Sequence, residues 1–248
     1  MKIFLPILSY GGLVHTEYMI SMFGLANKLN KHNIDGLFYP ITFESLVSRG
    51  RNACAAAFLK SKYDYLLFVD TDISFNSDDV FKLLNMKKDV AIGGYPKKYI
   101  QSRKLLAYTK KKELKEDWVD YVTDFSTEIP AEQWNSHQDV IKVKYGATGF
   151  MLISRNAFQT IIDNNPGIKY QNDIDGYMEG GDNFYNFFPA EVNPETKKYE
   201  SEDYGFCRLW RECGGEIFCD TTISLTHIGK FKFSGTMNKQ MKTYSLVS

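Results

Sequence analysis

The chain has 248 residues, 44% apolar and 24% charged, and its 30 basic residues balance 30 acidic ones for a formal net charge of zero. This composition excludes a disordered chain and a globally basic nucleic-acid binder. No apolar run approaches the ~18 residues of a membrane-spanning helix. The four cysteines, Cys54, Cys207, Cys213 and Cys219, contain no CxxC pair and suggest neither a disulfide scaffold nor a zinc knuckle.

In chain order, Lys2–Tyr10 reads as a buried strand rather than a signal peptide, because no small-residue cleavage site follows; a soluble, cytoplasmic chain is expected. Gly11-Gly12 breaks the strand, and Thr16–Lys31 carries Met19, Ile20, Phe23, Ala26 and Leu29 near helical period. A second strand is expected over Ile34–Ile41, then an alanine-rich helix over Arg51–Leu59 capped by Ser48. Tyr65–Val69 (YLLFV) suits a fully buried parallel strand. Ser77 is positioned to cap a helix over Asp79–Leu84, and Val90–Gly93 is a further short strand. This alternation predicts an α/β fold, a single Rossmann-like domain with a central, mostly parallel sheet.

The second half has a different pattern. Residues Tyr95–Asp139 are polar and lysine-rich and read as a long excursion or a β-ribbon. Lys142–Ser154 is strand material, Arg155–Asn164 a helix, and Pro166–Lys198 irregular and aromatic-rich. A helix over Glu202–Cys213 ends at Gly214-Gly215, and short strands follow at Ile217–Cys219 and Ile223–Leu225. Residues after Lys230 read as a basic, mobile tail. One domain over 1–248 is expected: a nucleotide-binding half (1–95), an acceptor-binding half with a smaller mixed β region (96–230) and the tail (231–248).

Four stretches carry chemistry. Asp70-Thr71-Asp72 ends the YLLFV strand, where open parallel sheets place their ligand sites. Residues i and i+2 share a face, so the two carboxylates can hold a divalent cation that neutralises phosphates. A phosphatase-type motif matches this stretch only loosely, because such a nucleophile sits on the first strand. Ser201-Glu202-Asp203 opens a helix, and a carboxylate there could take a proton from a hydroxyl; Ser followed by two acids is also ordinary helix-start chemistry. His227 follows a short strand, and imidazole joined to carboxylates suits manganese better than calcium. Arg49, Arg51 and Asn52 sit at a helix start, where N–H groups and guanidinium can meet an anion.

Taken in order, the first strand Ile3–Ser9, Arg49/Arg51/Asn52, Asp70-Thr71-Asp72, Gly146-Ala147-Thr148-Gly149-Phe150-Met151, Ser201-Glu202-Asp203 and His227 resemble the glycosyltransferases of the A fold, the metal-dependent Asp-x-Asp type that uses nucleotide-sugar donors. The resemblance spans roughly residues 2–230. It implies Asp72, Asp70 and His227 as metal ligands, with Mn2+ preferred over Mg2+. It implies Ser9, Tyr10, Arg49, Asn52, Asp70, Thr71 and Gly149 around the donor, and Asp203, seconded by Glu202, as the base of an inverting enzyme. The implied donor is a UDP-sugar, with a GDP-sugar as the alternative, and the implied acceptor is a glycan or other hydroxyl, a modified nucleic-acid base included. Arg-x-Arg-Asn also resembles retaining mannosyltransferases of the fungal Golgi type. A sugar nucleotidyltransferase lacks its basic glycine-rich loop here, since Gly11-Gly12-Leu13-Val14-His15 carries no Arg or Lys. An inactive glycan-binding homologue would not need all of these acids.

Overall fold

The computed structural model describes residues 1–111, 118–134 and 138–242. The first half runs β1 (Lys2–Ser9), α1 (Thr16–Lys31), β2 (Asp35–Thr42), α2 (Val47–Lys60), β3 (Tyr65–Val69), β4 (Ile73–Ser74), α3 (Ser77–Asn85) and β5 (Val90–Ile92). The second half adds α4 (Ser102–Lys111), α5 (Val119–Val122), β6 (Val140–Val143), β7 (Phe150–Ser154), α6 (Arg155–Asn164), β8 (Glu191–Val192), β9 (Tyr199–Glu200), α7 (Glu202–Glu212), β10 (Ile217–Asp220), β11 (Leu225–Ile228), β12 (Lys232–Gly235) and α8 (Met237–Lys242).

The main sheet has the order β2-β1-β3-β7-β5-β10-β6. β7 runs antiparallel between β3 and β5, and β6 is an antiparallel edge; the remaining neighbours pair parallel. A second, three-stranded sheet, β12-β11-β4, stands at the end of β3. The expected α/β architecture with a mostly parallel centre and a smaller β region is thus observed.

Alternation along the central strands divides the core in two. Phe4, Leu66, Phe68, Val90, Ile92, Met151 and Ile153 enter one cluster with α2, α6 and α7. Ile3, Leu5, Leu67, Val69, Ala91, Phe150 and Leu152 enter the other with α1 and α3. Successive side chains point to opposite faces, so continuous apolar runs such as YLLFV are what a sheet covered on both sides requires. Ala53, Cys54, Ala55, Ala56 and Ala57 are all buried on α2, whose small side chains let the helix lie close to the sheet.

Several local expectations are corrected. α2 starts at Val47, so Ser48 lies inside it; the first turn is held instead by Glu44, whose Oε1 accepts from the Leu46 N–H at 2.8 Å. α3 is capped by Asn76, not Ser77, in a capping box with Asp79. On α1 the buried face is Tyr18, Ser21, Met22, Leu25 and Leu29, while Met19, Ile20 and Phe23 are exposed. The excursion after Tyr95 holds two helices, α4 and α5, rather than a ribbon, and residues 112–117 and 135–137 of this lysine-rich stretch lie outside the described residues. Through residue 242 the expected mobile tail is β12 and α8, with Met237 and Met241 in the core. Residues 243–248 lie outside the described residues.

α7 is set against the loop before it with almost no clearance. A Cβ at Gly205 would lie 2.0 Å from the Pro189 carbonyl oxygen. Backbone cannot yield there as a flexible side chain can, so Gly205→Ala is expected to cost roughly 2 kcal/mol through displacement of α7. Urea denaturation reads this directly, and an unchanged midpoint would show that the loop moves freely.

Candidate active site

The turn after β3 is fixed from several sides. The Ile73 N–H donates to the Asp70 carbonyl at 2.9 Å, closing the turn; the Asp70 N–H donates to the Gly149 carbonyl at 3.1 Å. The Ile228 N–H donates to the Asp72 carbonyl at 2.8 Å, and the His15 N–H to the Thr71 carbonyl at 3.2 Å. β11 pairs with β4 so that His227 stands opposite Ile73. His227 therefore lies within a strand, not after one, and that pairing carries it to Asp72 across 155 residues of sequence.

His227 Nδ1 lies 2.9 Å from the Pro96 carbonyl oxygen. A carbonyl only accepts, so Nδ1 carries the proton there and Nε2 turns toward Asp72 Oδ2 at 3.6 Å. Two ligands of one divalent ion, bonded at ~2.0–2.2 Å, stand about 3 Å apart, so Asp72 and His227 could share a cation with little movement. The backbone partner on Nδ1 is the usual means of orienting such a ligand. Lys98 Nζ lies 2.5 Å from the same Oδ2 and supplies positive charge to it. Burial raises the Asp72 pKa, but the neighbouring His227 and Lys98 outweigh it and hold the carboxyl at about 2.

Asp70 is engaged differently. Its Oδ1 accepts from Arg51 Nη2 at 2.9 Å, and Arg51 Nε donates to Glu202 Oε1 at 3.1 Å. The guanidinium lies 5.1 Å from the Phe68 ring centroid, and its side chain is 5% exposed. Burial opposes its charge, but Asp70 and Glu202 more than compensate and raise its pKa. Arg51 thereby joins the β3 turn to the start of α7. Among the described residues no three of His, Cys, Asp or Glu form one ligand cluster, so Asp70 is not gathered with Asp72 and His227 into a three-ligand set.

At α7, the Ser201 side chain does not cap the helix. Its hydroxyl donates instead to Asp203 Oδ1, which also accepts from the Tyr204 N–H at 2.8 Å. Burial raises the Asp203 pKa more than the Ser201 hydrogen bond lowers it, and the Glu202 charge adds to the rise. A carboxyl fixed through one oxygen, with its pKa raised, is suited to receive a proton. Beside it opens a pocket of about 340 Å³ lined by Lys97, Glu128, Trp134 and Tyr204, among others.

The remaining expected residues are divided between cleft and interior. Ser9 is buried, and its carbonyl accepts from Gly12 and Phe43, while Tyr10 is exposed at the same strand end. Arg49 forms a two-pronged pair with Glu44 (Nε–Oε2 2.8 Å, Nη2–Oε1 2.9 Å). Asn52 is 4% exposed; its amide donates to Asn186 and accepts from the Phe188 N–H, so it organises the interior. In the aromatic stretch, Phe184, Phe187 and Phe188 are core residues packed with Phe68, Phe158 and Phe206.

Two residues beside these groups are not singled out by the sequence: Arg51 in its bridging role, and Tyr95, whose ring meets that of His227. Arg51 shares an i, i+3/i+4, i+7 stripe with Cys54, Ala55 and Phe58, which points it inward. Tyr95 is the first large residue past β5 at the sheet's ligand edge.

No family model matches the chain, and no curated protein matches it. Among solved structures, A197 from STIV aligns over 93% of this chain and 87% of its own, at 18% identity and a TM-score of 0.50. This likeness supports the shared fold. GalNAc-T7, solved with UDP, GalNAc and Mn2+, covers 92% of this chain and 44% of its own at 11% identity and a TM-score of 0.47. The 4-diphosphocytidyl-2C-methyl-D-erythritol synthase of Anaerococcus prevotii DSM 20548 covers 72% and 82% at 12% identity and a TM-score of 0.34.

Proposed function

We propose that this protein transfers a sugar from a nucleoside-diphosphate donor to an acceptor hydroxyl with inversion, Asp203 acting as base. One observation carries the reading. Four sequence-distant groups converge at the sheet's ligand edge: Asp70 and Asp72 after β3, His227 on β11, Arg51 on α2, and Glu202 and Asp203 at α7. No packing requirement explains such a concentration of partly buried charge.

In this reading Asp72 and His227 hold a divalent cation, manganese by ligand chemistry. When bound, the cation supplies positive charge against the departing diphosphate. Lys98 stands at the same carboxylate and would add positive charge beside the diphosphate. Arg51 holds Asp70 and Glu202 in place, which makes Glu202 a positioning residue. Ser201 and the Tyr204 N–H fix one Asp203 oxygen, leaving Oδ2 to take the proton from the acceptor hydroxyl as it attacks the anomeric carbon. The acceptor enters by the pocket at Trp134 and Tyr204.

The test is thermal denaturation with UDP, GDP and their sugar derivatives, with and without Mn2+. A ligand at about 100 times its Kd stabilises by about 2.7 kcal/mol. A manganese-dependent shift with one nucleotide family is expected, and no shift with any of them would overturn the reading. Asp72→Asn and His227→Ala are each expected to weaken Mn2+ binding at least tenfold, titrated by the ion's paramagnetic resonance; full affinity in both would remove the cation from this site.

A further inference from the structure

Tyr95 is a residue whose hydroxyl the fold leaves unused. The residue is 7% exposed, and its backbone is held at both ends by Ser126, whose Oγ accepts from the Tyr95 N–H at 3.2 Å and whose N–H donates to the Tyr95 carbonyl at 2.9 Å. The ring is fixed as well. It meets His227 edge-on, with centroids 5.0 Å apart at 75°, and it covers Gly149 so closely that a Cβ there would lie 2.5 Å from Oη. Yet among the described residues the hydroxyl has no hydrogen-bond partner, nor is it one of the unpartnered polar atoms sealed from solvent. It is therefore reached by solvent. A hydroxyl on a fixed ring, reached by solvent and without a protein partner, is free to donate to a ligand.

The surroundings narrow what that can be. The ring lies on His227 and the hydroxyl over Gly149, whose carbonyl accepts from the Asp70 N–H, so the hydroxyl stands beside the turn that carries Asp70 and Asp72. An ionised phosphate oxygen only accepts, so it can meet the tyrosine O–H but not the Asp70 carboxylate beside it. A polyhydroxyl ligand meets both, because one of its O–H groups donates to the carboxylate while one of its oxygens accepts from tyrosine. Gly149, the residue beneath Oη, also fixes the Asp70 N–H through its carbonyl, so the hydroxyl and the donor turn share one support.

We infer that the Tyr95 hydroxyl is a donor-sugar contact, hydrogen-bonded to the transferred sugar rather than to the nucleoside diphosphate; this rests on the nucleotide-sugar reading above. Tyr95→Phe keeps the ring on His227 and over Gly149 and removes only the hydroxyl. The probes are UDP, UDP-glucose, UDP-N-acetylglucosamine, GDP and GDP-mannose, titrated calorimetrically with Mn2+ against the wild-type protein and the variant. Kd for the nucleotide sugar that binds the wild type is expected to rise about fivefold to tenfold in Tyr95→Phe, the equivalent of one hydrogen bond. Kd for the matching nucleoside diphosphate should stay within about twofold. Equal weakening of both, or of neither, would overturn the sugar contact and leave the transferase reading standing. A wild-type protein that binds none of the probes would overturn both.

Discussion

Asp203→Asn is expected to lower kcat for transfer by about 10^3-fold, within the range attributed to a positioned general base, while Kd for the donor changes less than twofold. The variant should fold at least as well as the wild type. Folding raises the Asp203 pKa above its ordinary value of 3.8, so the folded state favours the protonated carboxyl. The stability it contributes is present below that value and is lost as pH rises through the folded value. At neutral pH the ionised carboxylate opposes folding, and an uncharged amide removes that opposition. An unchanged or raised Tm with lost transfer separates chemistry from misfolding. The same shift predicts that the acid limb of kcat/KM lies above 3.8, because Asp203 must lose its proton to serve as base. Transfer within tenfold of wild type in Asp203→Asn would remove it from that role.

Arg51→Met is the complementary case, in which stability is expected to fall with activity. It leaves Asp70 and Glu202 facing each other without the cation between them. Breaking a buried pair costs about 3–5 kcal/mol, and because the Asp70 side chain is 34% exposed, the lower end, about 3 kcal/mol, is expected. For a chain of this length that lowers Tm by roughly 6–12 °C. Arg51→Lys should recover little, because one ammonium cannot present Nε and Nη2 to two carboxylates at once. A lysine variant as stable as the wild type would show that charge alone, not the planar fork, holds the two halves.

Much of the architecture was legible because burial leaves a periodic mark. YLLFV as a buried strand and the helix over Arg155–Asn164 both follow from local pattern. The meeting of Asp72 and His227 was approached through the order of motifs, although the short strand carrying His227 was placed too early. What was not legible depended on facing rather than type. Arg49 and Arg51 lie two residues apart on one helix, hence on different faces, and composition cannot say which turns inward. α4 and α8 are lysine-rich, and their helical period is masked by charge. Ser201 looked like a cap, and only coordinates show its hydroxyl donating to Asp203 instead.

The late position of β11 has a consequence for biosynthesis. Every strand of the seven-stranded sheet ends by residue 220, so the whole main sheet emerges from the ribosome before His227 does. A chain emerging N-terminus first therefore exposes all seven strands before the Asp72–His227 contact can form, and Met237 and Met241 complete the core later still.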